Sequence, residues 1–109
     1  MMPLVDNTPD SSGLSPAVID AIRTVLGACP AVERAMLYGS RAKGNYRRGS
    51  DIDLALEGSQ LDDIQLAILE NQLDDLLLPY RIDLSRLAAI QNDALLEHIR
   101  RVGQVFYER

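Results

Sequence analysis

Residues 39–53 read GSRAKGNYRRGSDID, and the interpretation of the whole chain starts from this stretch. Gly39 lets the backbone approach a ligand closely, and the amide and hydroxyl of Ser40 can donate hydrogen bonds to phosphate oxygens. Asp51 and Asp53 place two carboxylates one residue apart, and carboxylate oxygens are ligands that Mg²⁺ prefers. The stretch therefore predicts a site for a nucleoside triphosphate and for the metal ions that activate it.

The composition is that of one ordinary globular domain. The chain has 109 residues, of which 47% are hydrophobic and 25% are charged, and this suits a single modest core. The sequence contains no run of the roughly 18–20 apolar residues that a membrane span needs, and its start lacks the pattern of a secretory signal. We therefore expect a cytoplasmic protein. The net charge of −5 argues against direct nucleic-acid binding, which normally uses a basic face.

Hydrophobic periodicity and turn residues predict an α+β fold, with a small mixed sheet of three or more strands flanked by helices. Residues 1–14 are interpreted as a flexible lead-in and residues 15–109 as the domain. In chain order we predict a helix from Ser15 to Gly27, a strand 31–38, a turn or short helix 40–44, a strand 51–57, a helix 61–78, a strand 80–85, a helix 93–101 and an apolar tail 105–107 that packs back.

Alternation along two of these strands brings aspartates together. In the strand 51–57, Ile52, Leu54 and Leu56 occupy one face, so the opposite face presents Asp51 and Asp53. The same alternation in the strand 80–85 places Asp83 on its polar face. Asp83 is therefore the candidate for a third metal-binding carboxylate, or for the general base toward an incoming hydroxyl.

Such a site has the parts that nucleotidyl transfer needs. Two Mg²⁺ ions about 3.5–4 Å apart can clamp the attacking and leaving oxygens of the reaction. Positive charge for the phosphates is available nearby, and either Arg41 or Lys43 is expected to contact them. Arg47 and Arg48 lie in the following loop, where they are expected to serve a substrate or a partner.

Residues 37–56, LYGSRAKGNYRRGSDIDLAL, resemble the signature of the DNA polymerase β-like nucleotidyltransferase superfamily, above all its minimal nucleotidyltransferase (MNT) branch. The resemblance covers nearly the whole chain from Ser15 onward. It implies that Gly39 and Ser40 bind the phosphates of ATP, and that Asp51, Asp53 and Asp83 hold Mg²⁺. Family members of this size are commonly antitoxins paired with a HEPN-domain toxin that cleaves RNA, and the implied reaction moves AMP from ATP to a tyrosine hydroxyl of that toxin.

Three functions stay open at this point. The first is the adenylyltransferase antitoxin, which the small size favours because the chain has no room for a domain that binds an acceptor. The second is a module that neutralises its partner by covering it, with chemistry secondary. The third is transfer to a small hydroxyl compound such as an aminoglycoside.

Three further side chains receive an interpretation from the sequence alone. Cys29, the only cysteine, is interpreted as a small buried hydrophobe. Tyr46 is either a self-modification acceptor or, as we favour, a loop aromatic packed on its neighbours. His98, the only histidine, is interpreted as a surface residue favoured by the helix dipole, without a catalytic role.

Overall fold

A four-stranded mixed sheet organises the part of the chain that this computed structural model describes, residues 12–109. The strand order is β3-β2-β1-β4; β1 runs antiparallel to β2 and to β4, and β2 runs parallel to β3. The elements are α1 (Pro16–Gly27), β1 (Arg34–Tyr38), α2 (Ser40–Lys43), β2 (Ile52–Glu57), α3 (Asp63–Asp74), β3 (Ile82–Arg86), a 3₁₀ turn (Leu87–Ala89), α4 (Asp93–Val102) and β4 (Gln104–Glu108). The predicted α+β class and mixed sheet are confirmed.

The helices begin where local side chains satisfy their free amide groups. The Ser15 side chain accepts the amide of Val18, and Pro16 occupies the first turn of α1. At α3 the Asp62 carboxylate accepts the amide of Gln65, while the Gln65 side chain accepts the amide of Asp62. Both caps, the single bond at α1 and the reciprocal pair at α3, satisfy amides that a helix leaves unpaired at its start.

The main core lies between one face of the sheet and the pair α1 and α3. Alternate strand residues point into it, as the period of a β-strand requires. Its almost completely buried members include Ile19, Ile22, Leu26, Leu37, Ile52, Leu54, Leu56, Leu69 and Phe106. Cys29 packs against this cluster and is half-buried. A smaller cluster around Tyr38, Ala55 and Ile99 lies on the opposite face, under α4.

The helix predicted for residues 61–78 ends at Asp74, so its predicted C-terminal part is wrong. The amides of Leu76 and Leu77 bond back only three residues, and Leu77 adopts a left-handed φ of 55° with 88% of its surface exposed. Two physical reasons favour the early end. Asp74 and Asp75 bring negative charge to the negative end of the helix dipole, and Pro79 disfavours helical backbone at the residue before it.

Residues near both ends of the described chain pack against the domain. Residues 105–107 do pack back as predicted, but as part of the edge strand β4, which pairs with β1. Residues 1–11 of the predicted flexible segment lie outside the described residues. Its last part packs on the domain, since Leu14 is 5% exposed and Ser12 is buried. Within residues 12–109, no helix is long and apolar enough to cross a membrane.

Candidate nucleotide and metal site

The turn after β1 is shaped by Gly39. Its φ of 77° and ψ of −157° are backbone values that an L side chain rarely adopts. A Cβ at this position would lie 2.3 Å from the Asp53 carboxylate, so the absence of a side chain lets the turn approach that carboxylate. The Gly39 carbonyl accepts the amides of Ala42 and Lys43, which starts the short helix α2 directly after the turn.

The strand register brings two of the predicted aspartates side by side. Asp53 of β2 pairs with Asp83 of β3 and, on its other side, with Tyr38 at the end of β1. Asp53 is half-buried in the middle of this row, whereas Asp83 is exposed. Asp51 is exposed and lies one residue before β2, on the same side of the chain as Asp53 by strand alternation. The predicted convergence of Asp53 and Asp83 beside the Gly39 turn is therefore present.

The aspartates repel one another in the absence of a cation. Burial raises the pKa of Asp53, and the negative charges of Asp83 and Asp51 raise it further. Burial also raises the pKa of Tyr38; a hydrogen bond with Ser85 opposes that shift, and the charges of Asp53 and Asp83 add to it. Because the ionised form of Asp53 is disfavoured by its surroundings, a cation bound beside it would stabilise that form.

A site with two carboxylates suits Mg²⁺ better than a site in which protein side chains supply every ligand. Within residues 12–109, no group of three or more His, Cys, Asp and Glu side chains is arranged so that it could hold a metal ion unaided. Mg²⁺ is commonly bound by one or two carboxylates together with substrate phosphates and water. The pair Asp53 and Asp83, with Asp51 close by in the chain, matches that kind of site, in which the nucleotide completes the ligand set.

Arg41 lies in the protein interior and not on the face of the site. Its side chain is 1% exposed, and its guanidinium donates to the carbonyls of Ser12, Arg48 and Ser50 at 2.8, 3.2 and 3.1 Å. It also contacts the rings of Tyr46 and Tyr80. These contacts hold the loop 45–50 in place. The phosphate role predicted for Arg41 stays a prediction that its surroundings do not favour, which leaves Lys43 as the better candidate because it is exposed.

The loop side chains divide into packed and exposed ones. Tyr46 is half-buried and contacts both Arg41 and Gly13, which is the packed arrangement that the sequence favoured. Arg47 and Arg48 are exposed on the same loop. Their cationic groups are therefore free to meet solvent or an approaching molecule.

His98 is the residue that the sequence interpretation misplaced. It is half-buried and not a surface residue, since its Nε2 accepts the Gly39 amide at 3.0 Å and its ring meets Tyr38 edge-on at a centroid distance of 6.2 Å. The signal was present in the spacing. Leu95, His98 and Val102 follow each other at three and four residues, so the histidine belongs to the inward stripe of α4.

Comparison with known proteins gives a clear family. The family model described as "Polymerase beta, Nucleotidyltransferase" matches residues 20–109. A comparison with curated proteins gives no significant match. Among solved structures, the chain is similar to one in a crystal structure of a toxin–antitoxin with AMP-PNP, with 26% identity over 84% of this chain and 73% of that one and a TM-score of 0.68.

Two further structures share the fold. One is the MNT antitoxin complex with a tri-AMPylated HEPN toxin of Shewanella oneidensis, at 22% identity over 85% of this chain and 71% of that one, with a TM-score of 0.63. The other is the toxin–antitoxin MntA–HepT, at 22% identity over 87% and 74%, also with a TM-score of 0.63. These neighbours have the fold that the sequence resemblance implies. Because the family model covers nearly all of the described residues, this chain belongs to the polymerase beta nucleotidyltransferase family.

Proposed function

We propose that this chain is a Mg²⁺-dependent adenylyltransferase that acts as an antitoxin, moving AMP from ATP to a tyrosine hydroxyl of a HEPN-domain RNase toxin. The observation that carries the proposal is the pairing of Asp53 with Asp83 next to the glycine turn at Gly39. The similar structures support the choice of nucleotide and acceptor, since one contains AMP-PNP and another a tri-AMPylated HEPN toxin.

In this proposal the turn holds the triphosphate. The amide and hydroxyl of Ser40 donate to phosphate oxygens, and Gly39 leaves the space for their approach. The ammonium group of Lys43, exposed at the end of α2, adds positive charge on the phosphates. Lys43 acts as a flexible point charge, which suits a group that follows the phosphates as they move.

The aspartates serve the reacting phosphorus and the acceptor. Asp51, Asp53 and Asp83 would hold two Mg²⁺ ions, which neutralise the triphosphate and stabilise the attacking and leaving oxygens. The acceptor oxygen forms a bond to the α-phosphorus, the bond from that phosphorus to the bridging oxygen breaks, and pyrophosphate leaves. Asp83 takes the proton of the acceptor hydroxyl, because its exposed carboxylate is within reach of a molecule arriving from solvent.

The exposure of Asp83 and of the loop 45–50 suits a protein acceptor. The described fold has one sheet with its flanking helices and uses one sheet face for the core under α1 and α3. A protein acceptor brings its own framework and can present a tyrosine to the exposed Asp83. Arg47 and Arg48 are exposed on the loop that precedes Asp51, where they can meet an acidic surface of such a partner.

The test is the intact mass of a candidate HEPN partner incubated with this chain, ATP and Mg²⁺. We expect the partner to gain one or more AMP units, and we expect no gain with Asp53→Asn. Replacing ATP with α,β-methylene ATP, whose bond at the α-phosphorus cannot be cleaved in this way, is the matched control for binding without transfer. A tight complex that neutralises the toxin equally well with Asp53→Asn, and without any mass gain, would instead identify a module that acts by covering its partner.

A further inference from the structure

The glycine turn is held from the C-terminal part of the chain by two side chains. His98 of α4 accepts the Gly39 amide through Nε2 at 3.0 Å. Gln104, the first residue of β4, donates from its Nε2 to the Ala42 carbonyl at 3.1 Å. One contact fixes the start of the turn and the other fixes the helix α2 that follows it. Segments far apart in sequence therefore set the orientation of the proposed phosphate-binding backbone.

The contact with His98 holds Gly39, the residue at which the turn begins. Gly39 has a backbone conformation rarely adopted by other residues and no side chain to hold it. Free glycine samples many conformations, so a turn built on it needs an external contact to keep one of them. The ring of His98 is itself held edge-on against Tyr38, at an interplanar angle of 80°.

The same geometry separates His98 from the chemical step. Its Nε2 is occupied by the Gly39 amide, so that nitrogen must carry a lone pair and no proton. The neutral ring then has its proton on Nδ1, since one ring nitrogen accepts and the other donates. A nitrogen held in this way orients the backbone and does not take a proton from a substrate.

We propose that His98 is a positioning residue for the nucleotide, which holds Gly39 so that the amide and hydroxyl of Ser40 face the triphosphate. The inference rests on the proposed function for the identity of the ligand. It adds a residue outside the Gly-Ser and Asp-x-Asp pattern to the determinants of nucleotide affinity. The acceptor nitrogen, and not the aromatic ring as such, is the group that matters.

The first test measures binding of α,β-methylene ATP by titration calorimetry in the presence of Mg²⁺, which needs no partner protein. His98→Leu keeps an apolar side chain under α4 but removes the acceptor, and we expect affinity to fall about tenfold, or about 1.4 kcal/mol. His98→Gln places an amide oxygen where it can accept the Gly39 amide, and we expect affinity within about threefold of the wild type. Arg101→Gln, an exposed change on the same helix, is the control and should leave affinity unchanged.

If His98 had only a structural role, its replacement would change the stability of the fold and would weaken the binding of AMP and of the triphosphate equally. Thermal unfolding of each variant shows whether His98→Leu weakens the fold, and binding is compared below the melting temperature of the least stable variant. AMP lacks the β- and γ-phosphates, so its weaker binding should change little in His98→Leu. An equal loss for AMP and for the triphosphate, or a failure of His98→Gln to restore affinity, would overturn the inference.

The second test reads the hydrogen bond directly. Because His98 is the only histidine, long-range proton–nitrogen spectra of the tag-free chain report its tautomer without assignment. We expect the proton on Nδ1, and a ring protonated on Nε2 would contradict the contact. A wild-type chain that binds the triphosphate but never modifies a HEPN partner would remove the proposed acceptor and leave the positioning role intact. A wild-type chain that does not bind the triphosphate would overturn the positioning role.

Discussion

The two faces of the sheet come from the same strands but differ in what they contribute. Along β2, Ile52, Leu54 and Leu56 are at most 1% exposed in the core under α1 and α3. On the opposite face Asp53 is half-buried, with a pKa raised by burial and by two neighbouring aspartates. The first face carries the main core, whereas the second, beside the smaller apolar cluster around Ala55, carries an unfavourable cluster of charge that a cation and phosphates can use. Substitutions at adjacent positions should therefore separate stability from activity.

The largest effect is expected for Asp53→Asn. It removes a proposed metal-binding charge, and a loss of about 4 kcal/mol of transition-state stabilisation corresponds to about a thousandfold fall in AMP transfer. The measurement is the initial rate of AMP incorporation into the HEPN partner. Asp20→Asn, an exposed change on α1, should have no effect. A variant with more than about a tenth of the wild-type rate would exclude Asp53 from the reacting site.

Leu54→Ala tests the neighbouring residue on the core face. Leu54 is completely buried, so its truncation should lower the free energy of unfolding by about 3 kcal/mol, through lost apolar burial and a cavity. Urea denaturation measures the change, with Ile64→Ala as the control, because Ile64 is 73% exposed. The folded fraction of Leu54→Ala should bind α,β-methylene ATP with unchanged affinity. A specific loss of nucleotide affinity would show that the two faces are coupled.

Gly39→Ala should affect both the stability of the fold and the activity of the site. A Cβ would strain the backbone and lie 2.3 Å from the Asp53 carboxylate, and a displacement of about 1 Å at a reacting group can lower a rate about a hundredfold. Two matched glycines separate the causes. Gly44→Ala also falls at a positive φ, 88° with a ψ of 3°, but in the left-handed region that other residues can adopt at moderate cost, and it has open space. Gly49→Ala has neither a positive φ nor a contact. We expect AMP transfer to decrease in the order Gly49→Ala, Gly44→Ala, Gly39→Ala; equal rates in the last two would show that the contact with the Asp53 carboxylate does not matter.

The polar face was largely predictable because its signal is local. The alternation in β2 and β3 placed Asp53 and Asp83 on polar faces, and the pairing of those strands aligns them. The fold class followed from the same periodicities. Alternation along a strand cannot predict which side chains are buried by segments that are distant in the sequence. The sequence predicts that either Arg41 or Lys43 contacts phosphate, and it does not indicate that Ser12, Tyr46 and Tyr80 surround Arg41 in the fold.

Long-range pairing explains the remaining differences. The strand β4 is short and lies at an edge, so its few residues carry little pattern of their own, and only its pairing with β1 makes it a strand. The spacing of Leu95, His98 and Val102 indicates that His98 faces inward, but its contact with Gly39 depends on how α4 crosses β1, which no local spacing determines. The early end of α3 is easier to predict from the sequence, because Asp74, Asp75 and Pro79 all disfavour a longer helix.

A smaller effect on the core side is expected for Asp62→Ala. The Asp62 carboxylate caps α3 by accepting the Gln65 amide at 2.8 Å, and loss of such a cap lowers the free energy of unfolding by about 1 kcal/mol. Asp75→Ala at the other end of the same helix should change stability in the opposite direction by a few tenths, about 0.3 kcal/mol, because it removes a negative charge from the negative end of the dipole. Thermal unfolding of both variants measures the difference. The same sign for both would show that net charge, and not the cap, decides the result.

The smallest effect is the contribution of Asp53 to stability in the absence of metal. Its pKa is raised above the ordinary value of 3.8, so between that value and the raised one the folded chain binds more protons than the unfolded chain. The free energy of unfolding then falls as pH rises through this window, and the deficit is complete above it. In metal-free buffer Asp53→Asn should therefore melt slightly above the wild type at pH 7, with a difference that shrinks as pH falls toward 3.8. The difference is modest because solvent screens a half-buried group.

Adding Mg²⁺ and ATP should reverse the order of the two proteins. A ligand that binds only the folded state stabilises it in proportion to its binding, so the wild type should gain stability and Asp53→Asn should gain little. If Asp53→Asn were the less stable protein even without metal, the carboxylate would be held by favourable contacts and not opposed by its neighbours. The order of melting temperatures with and without the cation thus separates a charge kept for chemistry from a charge kept for the fold.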